Sequence, residues 1–125
     1  MIYEIDGERF SGLAGFYDEI GRVMLLPGTP WGRNQDAFND ILNGAFGEPP
    51  GGFTIVWKHS GVSAGRLGHE ETARSLELAL SRCHETQRET ALTALENARD
   101  GKGPTIFNRL VDLIREHQHV ELRLE

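Results

Sequence analysis

Two aspartates four residues apart, Asp36 and Asp40, are the residues in this sequence best placed to do chemistry. A helix over residues 34–43 turns 100° per residue and would bring Asp36, Asp40 and Asn43 within about 60° of one another. Phe38, Ile41 and Leu42 would then fall on the opposite side. Two carboxylates on one exposed face can be simply solvated, can serve as general acid and base, or can receive cations through charge-assisted hydrogen bonds. A convex helix face supplies no cleft for catalysis, and nothing else in the sequence suggests an enzyme. As like charges at i, i+4 the pair costs an isolated helix a few tenths of a kcal/mol. Asp36 lies in the first turn, where the helix dipole compensates, and Asp40 does not.

Other candidate chemistry is thin. Five histidines are present, but His59, His69, His84, His117 and His119 match no zinc spacing, and only one cysteine could join them. No metal or cofactor is expected. Gly101-Lys102-Gly103 follows a predicted helix and precedes Pro104, so it reads as a C-cap and linker rather than a phosphate loop. Ser60 and Ser63 lack a nucleophile-elbow context. Cys83 falls on an apolar stripe and reads as packed core. Trp57 reads as core. Trp31, in a Pro/Gly loop, is open to two readings: packing beneath the loop or touching a partner.

The segment around the aspartates carries a pattern: Trp31-Gly32-Arg33-Asn34-Gln35-Asp36-Ala37, then Asp40, then Leu42-Asn43-Gly44. Its flanks are a strand-turn, Ile5-Asp6-Gly7-Glu8-Arg9-Phe10, a tryptophan-bearing strand over 53–58 and a closing helix-strand. This arrangement resembles the barstar family, intracellular inhibitors of barnase-type ribonucleases, over residues 1–60 and 104–124. The resemblance implies a mechanism. Carboxylates matching Asp36 and Asp40 imitate RNA phosphates in a basic cleft, that of Asp40 reaching deepest. The loop at Trp31-Gly32 covers the cleft mouth, and Asn39 and the backbone near Asn43-Gly44 add contacts. Acidic residues of the last helix match Asp112 and Glu116. Asn34 fits as the helix N-cap. Departures are Pro30-Trp31 where the best-known members have two aromatics, Asn39 for an aromatic, and Arg33 for an acidic residue. Residues 61–103 are longer than in short members and add roughly one helical hairpin.

These residues need elements to hold them. Residues 2–5 read as a strand closed by Asp6-Gly7. Ser11 is the expected N-cap of a helix over 12–25 with Leu13, Phe16, Tyr17, Ile20, Val23 and Met24 inward. Glu48-Pro49-Pro50-Gly51-Gly52 reads as a turn. Residues 53–58 (FTIVWK) form the strongest strand signal, and their nearly continuous apolarity suggests cover on both faces. Residues 61–69 look loop-like. Helices are expected over 70–83 and 87–99, and a last one begins after the Thr105 cap. Val120, Leu122 and Leu124 alternate with charges, as in an edge strand. The fold class is α/β: a small three-stranded parallel sheet packed with helices, strand 53–58 in the middle, with the extra hairpin inserted after the second strand.

Composition agrees. The 125 residues make one domain, 1–125, large enough for its own core. One cysteine excludes an internal disulfide framework and suits a reducing, cytoplasmic setting. No apolar run approaches the roughly 20 residues of a membrane span, and the N-terminus is no secretory signal. Thirteen basic and nineteen acidic residues give a net charge of −6, which opposes direct nucleic-acid or anionic-membrane binding and favours a basic protein partner. Residues 1–60 hold four basic and eight acidic side chains, so that half is the more acidic. Two functions are consistent with this. One is a protein, monomeric when free, that inhibits a basic ribonuclease or toxin nuclease. The other is a regulatory interaction module that uses residues 61–103 as its binding surface.

Overall fold

A computed structural model describes residues 1–44 and 52–125. The turn expected at Glu48–Gly52 therefore lies, up to Gly51, outside the described residues. Strand β1 (Ile2–Asp6) and a 3-10 turn (Gly7–Arg9) lead to α1 (Leu13–Met24) and α2 (Gln35–Leu42). Strand β2 (Phe53–Lys58) is followed by α3 (Ser60–Arg66), α4 (His69–Leu80), α5 (Glu85–Arg99), α6 (Ile106–Arg115) and β3 (Val120–Leu124). The sheet order is β1-β2-β3, both pairings parallel, with Ile5 beside Trp57 and Trp57 beside Leu124. The central position expected of strand 53–58 is the one observed.

The core lies between the helices and one face of this sheet. Ile5, Ile55 and Trp57 point into it with no exposed surface, joined by Phe16, Ile20, Phe38, Leu42 and Ile114 from the helices. Phe16 of α1 stacks on Trp57 at 5.2 Å between ring centroids, and Phe38 of α2 meets Phe16 edge-on at 5.4 Å. This chain of rings fixes α2 to the sheet through α1.

Four expectations need correction. The sheet is not covered on both faces. Ile2 is 60% exposed, and its outer-face neighbours Glu4, Lys58, Glu121 and Arg123 also meet water. Val56, between Glu4 and Arg123, is the buried residue on that face of the central strand. Ser11 does not cap α1. The N-cap is Gly12, which has no side chain to offer, and Glu71 of α4 accepts from the Leu13 N–H at 2.7 Å instead. Residues 61–69 are not a loop, because α3 occupies Ser60–Arg66. Its two glycines hide a helix held by tertiary bonds: buried Ser63 accepts from Trp57 Nε1 at 2.9 Å, and Arg66 donates to the Glu8 and Phe10 carbonyls. Cys83 lies half-buried beyond the end of α4, not in the core.

The expected hairpin is α4 and α5, joined by the short connection 81–84 and tied by an Arg99–Glu77 ion pair at 2.6 Å. Its root is built into the domain. Thr72 Oγ1 accepts from the buried Ile106 N–H at 2.9 Å, at the start of α6. Thr105 caps that helix with a reciprocal bond from Asn108, as expected for the closing helix. No helix among the described residues is long and apolar enough to cross a membrane.

Candidate functional site

Helix α2 starts where the sequence places its cap. The Asn34 side chain accepts from the Ala37 N–H at 2.8 Å, satisfying one of the open donors of the first turn. Phe38, Ile41 and Leu42 are buried, while Asp36, Asp40 and Asn43 are exposed. The opposed faces expected from the 3.6-residue period are thus present. Neither Asp36 nor Asp40 takes a hydrogen bond or an ion pair among the described residues. Asp36 is close enough to act on Tyr17 behind it: burial, helped by that carboxylate, pushes the Tyr17 hydroxyl up to about 12. Tyr17 therefore stays neutral across the physiological range.

The helix ends at Asn43, and Gly44 follows in the left-handed region at φ +87, which any side chain would enter at a cost. Two imidazoles fasten this end. His117 Nε2 donates to the Asn39 side-chain oxygen at 2.9 Å, and His119 Nε2 donates to the Leu42 carbonyl at 2.6 Å. Asn39 is half-buried and its amide oxygen is spent on this internal bond. His117 and His119 are thus struts between α2 and the turn leading into β3.

The loop before α2 lies across α1. Trp31 is half-buried and meets Tyr17 edge-on at 5.8 Å. A Cβ on Gly21 would sit 3.0 Å from Trp31 Nε1, so the small residue there lets the indole approach the helix. Trp31 thus packs against α1 and keeps part of its surface open to water. Gly32 is exposed. Arg33 has φ +51 and forms an ion pair with Asp18 of α1. Asp112 is exposed on α6, a helix against which α2 packs.

Sequence reasoning found the carboxylates, the cap, the loop and the inward Tyr17, but missed Asp18 and the role of His117 and His119 as struts. Asp18 lies on the polar side of the α1 stripe, and only the placement of the loop tells which cation it meets. The family model for Barstar (barnase inhibitor) matches residues 1–102, and the chain belongs to this family. The match runs from β1 through α5 without α6 or β3. No curated protein matches the sequence.

Proposed function

We propose that the exposed face of α2 enters the cationic active-site cleft of a barnase-type ribonuclease or a related toxin nuclease and blocks it. The observation that carries this reading is the pair of unpartnered carboxylates, Asp36 and Asp40, on a helix whose other face is locked in the core. Membership of an inhibitor family supports it.

Such a face is prepaid in entropy. Phe38 and Leu42 anchor it, Asn34 caps its start, and His117 and His119 hold its end, so binding need not order it. The carboxylates take the place of two phosphates and accept charge-assisted hydrogen bonds from the cleft. Asp40 is the deeper of the two. Trp31 and Gly32 lie over the cleft mouth, Asn43 and Gly44 offer backbone groups, Asn39 sits at the rim, and Asp112 adds a carboxylate from α6. The inhibitor is monomeric when free, cytoplasmic, and needs no cofactor. Its net charge of −6 speeds encounter with a basic nuclease.

The test is inhibition of a barnase-type ribonuclease, followed by binding kinetics with an inactivated form of it. Asp40→Ala should weaken the complex by about 2–5 kcal/mol, mainly in dissociation, because a desolvated cation loses its partner. That is roughly 30- to several-thousand-fold in affinity. Glu121→Ala, on the outer sheet face, should leave binding unchanged. Equal binding by Asp40→Ala and the parent would sink the reading. The alternative is an interaction module that binds through the hairpin. Leu78 and Leu92, 54% and 41% exposed on α4 and α5, favour it. Deletions in α4–α5 would then abolish partner binding while Asp40→Ala does not.

A further inference from the structure

Arg33 stands where the fold gains least from a cation. It precedes the N-cap Asn34, so its charge meets the positive end of the α2 dipole. Its backbone lies at φ +51, a conformation that glycine or asparagine adopts at lower cost. Its one ion pair, with Asp18, joins side chains 49% and 65% exposed, and pairs that open to water contribute little. Folding therefore does not account for an arginine here.

Its position has a consequence at the acidic face. Arg33 lies one residue after Gly32 and three before Asp36, between the tryptophan loop and the first carboxylate. The contact with Asp18 sets the guanidinium beside α1. A guanidinium carries five N–H donors in a rigid fork, and no other partner of this one is found among the described residues. A cation with unused donors thus stands beside the face that carries Asp36 and Asp40.

We propose that Arg33 is a specificity-determining residue of this interface. It selects a nuclease that carries a carboxylate at the rim of its basic cleft, and it rejects one whose rim is uniformly cationic. Like charges brought together across an interface suppress wrong partners, and a repulsive element is a common route to specificity. This inference rests on the reading that the α2 face enters the cleft.

The test uses inactivated barnase as the probe and compares the parent, Arg33→Gly, Arg33→Glu and Asp40→Ala at two salt concentrations. Arg33→Gly should raise the denaturation midpoint of the free protein and quicken association. Arg33→Glu should quicken association further, by about 10-fold at low salt, with the gain shrinking as salt screens it. A set of barnase variants, each with one rim lysine or arginine changed to glutamate, should contain one that the parent binds at least 10-fold better and Arg33→Glu binds worse. The inference is overturned if Arg33→Gly lowers the midpoint, if association is the same in the parent and both Arg33 variants, or if no variant forms a complex. Asp40→Ala separates the two claims. Weak binding by Asp40→Ala with unchanged Arg33 variants removes the selector and keeps the acidic-face reading. Unchanged binding by Asp40→Ala removes the acidic-face reading, and the selector with it.

Discussion

The two faces of α2 carry opposite duties, and single substitutions separate them. Phe38 has no exposed surface and touches the ring of Phe16. Phe38→Ala should cost about 3–5 kcal/mol, the usual loss for a buried phenylalanine with the cavity it leaves. Asp40 is exposed, unpartnered and four residues from a like charge. Asp40→Ala should change stability by less than about 0.5 kcal/mol, or raise it slightly. Chemical denaturation of both variants checks the pair of outcomes. Loss on Asp40→Ala comparable to that on Phe38→Ala would make the carboxylate structural. Glu71 behaves unlike either. The Arg74 guanidinium at 2.5 Å holds its carboxyl below the ordinary value of 4.5, against the upward push of burial, with help from the Leu13 N–H. Glu19 is similar: burial pushes it up, and the Arg22 guanidinium, the Asp6 N–H and Arg9 together bring it below that value. Both groups bind protons more readily unfolded than folded. Their contribution is complete above about pH 4.5 and is lost as the pH falls through the lowered values. Glu71→Gln should therefore lose stability at neutral pH, by about 1–3 kcal/mol, and lose less on acidification than the parent does. Denaturation midpoints measured from pH 7 down to pH 3 check this, and a parallel decline in both proteins would exclude it.

Elements that advertise themselves by a local pattern were legible in the sequence. Helix α2 is one, because its cap, its period and its Gly44 terminator all lie within eleven residues. Strand β2 is another, as are α6 with its Thr105 cap and β3 with its alternation. What stayed hidden depends on partners far along the chain. Helix α3 has the composition of a loop and is held by Trp57, Glu8 and Phe10. The start of α1 looks capped by Ser11, but the Leu13 N–H is met by Glu71, 58 residues further along. The candidate site divides in the same way. Asp36, Asp40 and Asn34 could be placed from spacing alone, whereas the struts from His117 and His119 span 78 and 77 residues. Those struts give a prediction at this scale. His117→Ala leaves the half-buried Asn39 amide without its partner and should cost about 0.5–1.5 kcal/mol. Amide exchange should rise in the last turn of α2, at Asn39 to Asn43, before it rises elsewhere. Uniform exchange across the domain would mean that the imidazole does not fasten this helix end.

At the scale of the whole molecule the question is which part of the α4–α5 hairpin belongs to the domain and which extends from it. The root supplies hydrogen-bond partners to two helices outside the hairpin: Glu71 to the first turn of α1 and Thr72 to the first turn of α6. Leu95 and Ala98 are buried there, while Leu78 and Leu92 are partly in water and the segment 84–90 is exposed throughout. Stability should therefore be concentrated at one end. Thr72→Val keeps the shape of the side chain and removes the acceptor, leaving the Ile106 N–H buried without a partner, which should cost about 1–3 kcal/mol. Replacing residues 82–90 by a short glycine-rich turn removes no core side chain and should change stability by less than about 1 kcal/mol. The same shortened protein also decides what the hairpin is for. If α2 is the inhibitory surface, the shortened protein should bind an inactivated barnase-type ribonuclease as the parent does, because Asp36, Asp40 and their supports lie outside the hairpin. Retained stability with lost binding would place the interface on the hairpin tip and assign α2 to the fold alone.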